Sequence, residues 1–163
     1  MEMNVSQLMT RDTAACSPGD HLHDAARIMW ERDCGVVPVV DERERVVGIV
    51  TDRDLCMAAY TQGRPLRDIE IASVMSRAVH TCRADDALAT ALAAMRDGKV
   101  RRLPVLDADD RLVGILSLND VAQAAARERA PANPELAARA ILDTLAAVCE
   151  PRAPREGAAQ MTG

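Results

Sequence analysis

Aromatic side chains are almost missing from this chain of 163 residues: there is no Phe, one Trp (Trp30) and one Tyr (Tyr60). That scarcity removes the stacking platforms on which single-stranded nucleic acid and RNA-binding sheets depend. Lysine is nearly absent too, with Lys99 alone among 20 basic residues, and 25 acidic residues leave a net charge of −5. An acidic balance argues against a broad face for gripping nucleic-acid phosphates. No apolar run approaches the roughly 20 residues of a membrane-spanning helix, and the start, Met-Glu-Met-Asn-Val, lacks the basic and apolar regions of an export signal. The five cysteines (Cys16, Cys34, Cys56, Cys82, Cys149) are odd in number and form no C-x-x-C. A reduced, cytoplasmic protein without nucleic-acid or membrane partners is therefore expected.

What remains is 48% hydrophobic and 28% charged, enough for a core of Val, Leu, Ile, Met and Ala. Its organisation is a repeat. Shifted by 66 residues, the sequence aligns with itself without a gap: Leu8-Met9-Thr10-Arg11 falls on Val74-Met75-Ser76-Arg77, Cys16 on Cys82, and Asp20 on Asp86. Further along, Pro38-Val39 falls on Pro104-Val105, Val47-Gly48-Ile49 on Val113-Gly114-Ile115, Thr51 on Ser117 and Asp54 on Asp120. Two copies of one unit of about 55 residues follow, too small to bury a comfortable core singly and suited to pairing about a pseudo-twofold axis.

Each unit reads β-α-β-β-α, an α/β class. A short strand (Thr13 to Cys16; Ala78 to Cys82) leads to a helix with Leu22, Ala25 and Met29, or Leu88, Ala91 and Met95, at helical spacing. Ser17 is the expected N-cap and Pro18 the expected first helical residue. Two apolar runs joined by a polar turn predict a hairpin, Val36 to Val50 and Leu103 to Leu116, with a second helix from Thr51 or Ser117. The expected divisions are 5–63, 71–129, an amphipathic helix over 133–150 (Leu136, Ile141, Leu142, Leu145, Val148) and a disordered tail over 151–163.

The stretch Gly-Val-Val-Pro-Val-Val-Asp followed by Gly-Ile-Val-Thr-Asp-Arg-Asp-Leu resembles a CBS motif. So does Val-Arg-Arg-Leu-Pro-Val followed by Gly-Ile-Leu-Ser-Leu-Asn-Asp-Val. Two in tandem resemble a Bateman module of the stand-alone bacterial type, over roughly residues 5 to 129. The resemblance implies a non-enzymatic regulatory module binding an adenosine-containing ligand (AMP, ADP, ATP or S-adenosylmethionine) in clefts between the motifs, with no obligatory cofactor. It implies that Asp54 and Asp120 take ribose hydroxyls and Thr51 and Ser117 a phosphate. It also implies a homodimer that signals to an unidentified downstream protein.

The residues support that chemistry and leave a plainer one open. A carboxylate offers two acceptor oxygens to a cis-diol, and a hydroxyl at a helix start lies where backbone N–H groups favour phosphate. Thr-x-x-Asp and Ser-x-x-Asp are equally capping boxes. Arg101 and Arg102 suit bidentate phosphate contact; the first copy has Gly35 and Val36 there, with Arg53 as a possible substitute. Cys16 and Cys82 sit at matching strand ends beside the expected base. His21 and His23, two apart, leave different sides of a helix, so no metal site is expected. The rival readings are an assembly module with degenerate clefts and a redox- or metal-responsive module. No nucleophile–base set or phosphate-binding loop (G-x-x-x-x-G-K-S/T) points to catalysis.

Overall fold

A computed structural model describes residues 3–127 and 134–150. The first motif runs α1 (Leu22–Glu31), β1 (Val36–Val40), β2 (Val46–Thr51) and α2 (Asp52–Gln62). The second runs β3 (Cys82–Arg83), α3 (Leu88–Gly98), β4 (Arg102–Leu106), β5 (Leu112–Ser117) and α4 (Leu118–Arg127), and α5 (Pro134–Cys149) follows. In each motif the two main strands are antiparallel and carry a bulge at the same place, Val39/Val40 and Val105/Leu106. The leading strand is shorter than the sequence suggests. It is a two-residue strand parallel to β4 in motif 2, and in motif 1 a single parallel bridge from Cys16 to Val39.

The hairpin turns have one solution, used twice. Oδ1 of Asp41 accepts the backbone N–H of Arg43 (2.9 Å) and Arg45 (3.0 Å). Oδ1 of Asp107 accepts those of Asp109 and Arg111, both at 2.9 Å. Such a carboxylate supplies the acceptor that a tight turn needs for its inward N–H groups. Arg45 and Arg111 then bridge across the pseudo-twofold axis.

The helix start expected at Ser17 and Pro18 is displaced to Leu22. Residues Ser17 to Asp20 form a turn in which the Asp20 carboxylate accepts the Ser17 N–H (2.7 Å). The reason lies in the linker between the motifs. The carbonyls of Pro18 and Asp20 accept N–H groups of Ala72 (3.0 Å) and Ile71 (2.8 Å), and the Leu22 N–H donates to Ile69 (2.9 Å). The helix-starting segment is thus committed to holding the lead-in of the other motif.

That exchange is reciprocal. Ile69, Ile71 and Met75, which precede motif 2, are buried in the core of motif 1 with Leu22, Met29, Val37 and Val50. Val5 and Met9, which precede motif 1, are buried in the core of motif 2 with Met95, Leu103 and Leu116. Val5 and Ser6 donate to Asp86 and Ala84, and Leu88 donates to Met3. Each unit completes its apolar core with a segment from the other, so the pair folds as one body.

Helix α5 packs on α3 and α4. Ala140 and Ile141 join the motif 2 core, and Thr144 is fully buried. The expected stripe is rotated: Leu142 and Leu145 face outward at 63% and 42% exposure. Thr144 takes the inner face because Arg96 of α3 needs an acceptor there, its Nη1 reaching the Thr144 hydroxyl at 3.3 Å. The side chain of Leu136 and the expected tail lie outside the described residues.

Candidate ligand-binding cleft

A cavity of about 220 Å³ opens between the motifs. One wall comes from motif 2: Arg102 at the start of β4, and Ile115, Ser117 and Asp120 at the β5–α4 junction. The other comes from motif 1: Thr10, Asp12, Thr13 and Ala14 of the lead-in, Ile28 and Arg32 to Cys34 at the end of α1, and Val36. The lead-in reaches this wall because Thr10 pairs with Ile115 in an antiparallel bridge. A wider hollow of about 390 Å³ lies near the hairpin tips. Its Arg45 is already closed onto Asp41 (2.8 Å) and its Asp110 onto Arg83 (2.6 Å), while Arg77 and Thr81 also line it.

Ser117 caps α4 and Asp120 answers it. Oδ2 of Asp120 accepts both the Ser117 N–H (2.8 Å) and its hydroxyl (2.6 Å), while the Asp120 N–H donates to Ser117 Oγ (3.1 Å). Both bonds that the Asp120 carboxylate accepts within the box fall on Oδ2, which leaves Oδ1 for another donor. The capping and ligand readings are therefore compatible at Asp120. At Ser117 they compete, because the hydroxyl proton is committed to Asp120 and must turn away before it can meet a phosphate.

Arg102 is half-buried on β4, opposite Ser117 in the strand register. Among the described residues no carboxylate pairs with it. Arg32, across the cleft, bonds Asp12 at 2.7 Å. The cleft thus combines a free guanidinium, an ion pair and an open carboxylate oxygen between aliphatic walls. Such a set suits an anion and a diol on one ligand.

The remaining sequence candidates separate into two groups. Thr51 and Asp54 form the twin box at the β2–α2 junction, with Asp54 Oδ2 accepting the Thr51 N–H (2.9 Å) and hydroxyl (2.7 Å). Gly35 accepts the Asp52 N–H there (3.1 Å), and exposed Arg53 donates its own N–H to Asp52 (2.7 Å). Arg101 is exposed and does not line the cleft; its carbonyl accepts the Leu118 N–H. Cys16 and Cys82 lie in the two cores, 2% and 5% exposed, which leaves little thiol surface for a ligand. Burial, reinforced by nearby Asp20 and Asp24, pushes the Cys16 thiol up to about 11. Burial, then Asp86, pushes Cys82 up to about 12.

The thiol that does line the cleft is Cys34. Sequence reading missed it together with Asp12, Arg32 and Asp33, because each cleft takes its second wall from the other motif. The signal was present in the 66-residue shift: two units that exchange segments to complete their cores also share the cleft between them.

Two α/β repeats with a polar cleft between them define a paired-repeat module built around a small-molecule-sized cavity. The CBS domain model matches residues 5–60 and 69–127, and the chain belongs to that family. It is 34% identical over 119 residues to the CBS domain-containing protein YhcV of Bacillus subtilis, covering 73% of this chain and 83% of that one. It is 31% identical over 121 residues to the uncharacterized protein MK0525 of Methanopyrus kandleri, covering 74% of this chain but 62% of that relative. The solved structure of CBSX2 in complex with AMP superposes with a TM-score of 0.67 at 28% identity, covering 78% of this chain and 98% of that one. No described helix is long and apolar enough to cross a membrane.

Proposed function

We propose that this module is a cytoplasmic sensor that binds an adenosine-containing ligand, with AMP, ADP, ATP and S-adenosylmethionine as the candidates, in the cleft between Ser117 and Arg32. The observation that carries the reading is the open Oδ1 of Asp120 beside the unpaired Arg102. Asp120 takes the ribose hydroxyls, Arg102 takes the phosphate, and the aliphatic side chains of Ile28, Val36 and Ile115 hold the base where aromatic rings are missing. The similarity to a CBS pair solved with AMP supports the same assignment. Because the cleft walls belong to different motifs, a bound ligand ties the motifs together, and that is the means by which occupancy changes what the surface presents.

Calorimetry with AMP and S-adenosylmethionine tests this. Asp120→Asn keeps the shape of the box but loses a charge-assisted bond to the diol, so AMP affinity should fall roughly tenfold or more, since such bonds are worth about 1.5–3 kcal/mol. The melting temperature of the ligand-free variant should move little. Unchanged affinity with a melting temperature several degrees lower would make Asp120 a helix cap alone.

The module is proposed to act as a homodimer. Trp30 on α1 is 89% exposed, Tyr60 and Met57 on α2 are 75% and 45% exposed, and α5 covers the corresponding helices of motif 2. An apolar helix face left open in one repeat and roofed in the other calls for a second copy of the chain.

A further inference from the structure

The hollow of about 390 Å³ at the hairpin tips shares no lining residue with the Ser117 cleft, and neither Thr51 nor Asp54 lines it. Its volume falls within the range of small-molecule sites. Three segments build it. The first hairpin gives Asp41, Arg45, Val46 and Val47; the second lead-in gives the alternate residues Arg77, Val79 and Thr81; the second hairpin gives Leu106 and Asp110. The four aliphatic side chains are half-buried and form its apolar part.

Its charges are unevenly committed. Oδ2 of Asp41 accepts both Nε (3.0 Å) and Nη2 (2.8 Å) of Arg45. Oδ1 of Asp110 accepts Nη2 of Arg83 at 2.6 Å, and the same guanidinium donates its Nη1 to the Asp107 carbonyl at 2.7 Å. Each carboxylate thus has an arginine of its own. Among the described residues the Arg77 guanidinium makes no ion pair or hydrogen bond, and neither does the Thr81 hydroxyl. Both groups stand on anchored backbone. Ser76, before Arg77, exchanges N–H bonds with Ile49 in both directions, each 2.9 Å, and Cys82, after Thr81, pairs with Val105 of β4.

The repeat supplies a comparison. Arg77 falls on Arg11 and Thr81 on Ala15. Arg11 donates Nη2 to the Ser6 carbonyl at 3.0 Å. The arginine of this position is therefore tied to backbone in one repeat and left open in the other, beside a hydroxyl that only the second repeat has.

We propose that this hollow is a binding site, separate from the Ser117 cleft, for a small organic anion. Arg77 and the Thr81 hydroxyl take its carboxylate or phosphate, and Val46, Val47, Val79 and Leu106 take a short apolar body. A bare inorganic ion would leave the aliphatic walls in water, and a cation would meet carboxylates that are already paired. Because the walls come from both hairpins and the lead-in between them, an occupant touches both motifs.

Amide proton–nitrogen NMR of the full chain, titrated with hexanoate, with butyl phosphate and with inorganic phosphate, tests it. At least one of the two organic anions should shift the amides of Val46, Val47, Arg77, Thr81 and Asp110, and which of them does so names the head group. Inorganic phosphate should bind roughly tenfold more weakly or not at all. Arg77→Met keeps the length of the side chain and should lower the affinity by about tenfold or more, with the melting temperature unchanged because the side chain is exposed. Thr81→Ala, which installs the residue of the other repeat, should lower it by roughly threefold or more. Arg11→Met should leave it within about twofold. Asp120→Asn should leave it unchanged while weakening AMP, which separates this site from the function proposed above. Absence of shifts with both organic anions, shifts confined to the Ser117 cleft, or full affinity in Arg77→Met would overturn the proposal, and inorganic phosphate binding as well as butyl phosphate would reduce it to an adventitious ion only.

Discussion

The sulfur of Met9 stands 2.8 Å from the point where a β-carbon on Gly114 would lie. The carbonyl oxygen of Thr10 is 2.9 Å from that point, so both a side chain and a backbone from the opposite motif press on β5 where no side chain can stand. Met75 and Ser76 press on Gly48 in the same way, with the Met75 sulfur at 2.5 Å and the Ser76 carbonyl at 3.2 Å. The two glycines are the seats of the exchanged lead-ins, and through Thr10 the Gly114 seat also shapes the wall of the ligand cleft.

Gly114→Ala should therefore destabilise the fold by about 1–3 kcal/mol, the usual cost of overpacking. For a chain of this size that lowers the melting temperature by several degrees. Gly48→Ala should cost less, because its closest contact is the flexible end of Met75 and the backbone oxygen stands farther away. Thermal unfolding of the two variants side by side checks the order. A larger loss at Gly48 would mean that the methionines, not the backbone contacts, fix the lead-ins.

Alkaline pH should loosen the protein through its buried thiols. Native Cys16 and Cys82 hold their protons up to about 11 and about 12, whereas the unfolded chain releases them near 9.0. Between those values the native state binds more protons than the unfolded one, so stability is full below pH 9.0 and falls as pH rises through the window. The background is low, since the chain has one Lys and one Tyr. Urea unfolding from pH 8 to 11 should show the decline, and the double variant Cys16→Ala/Cys82→Ala should flatten it. An identical slope in the variant would place the effect elsewhere.

The repeat made the fold legible, because identical turns, bulges and capping boxes recur at a fixed distance. Asp41 and Asp107, or Thr51 and Ser117, are recognisable from spacing alone since their bonds are local. What could not be read were relations between the units. Ser17 and Pro18 carry good helix-start chemistry, yet the linker takes the Pro18 carbonyl and the helix begins later. The inner face of α5 centres on Thr144 instead of Leu142 and Leu145, and Thr144 meets Arg96 of another helix. At the cleft, the local residues Ser117 and Asp120 were visible and the opposite wall was not, because Arg32 and Cys34 arrive through the fold of the other motif.

Trp30 gives the dimer proposal its probe. It is the sole tryptophan, and in the isolated chain its indole is in water. Its emission should shift to shorter wavelength as concentration rises and copies associate, in step with the mass seen by light scattering. Trp30→Arg, which installs the residue of the other repeat, should hold the chain monomeric at micromolar concentration with little change in the stability of the monomer. A monomer mass for the unaltered protein across that range would remove the dimer.

Helix α5 should behave as part of the module. Thr144 is fully buried, donates to the Ala140 carbonyl at 2.7 Å and accepts from Arg96 at 3.3 Å. At the far end Glu150 meets Lys99 at 2.8 Å, and that contact holds the Glu150 carboxyl below its ordinary range. The two contacts differ in worth. The exposed Lys99–Glu150 pair should contribute little and weaken with salt. Thr144→Val should cost about 1–3 kcal/mol, because it takes a hydrogen-bond acceptor from a half-buried guanidinium without removing the charge. Arg96→Leu should cost less, since the Thr144 hydroxyl keeps its bond to Ala140. The double variant should cost less than the sum of the single ones, as residues in direct contact do. Deletion from Pro134 onward would bare the Ala140 and Ile141 seat on the motif 2 core and should promote aggregation, whereas deletion of 151–163 should change stability little. Additive single-variant costs, or equal behaviour of the two truncations, would show that α5 rests on the module without being held by it.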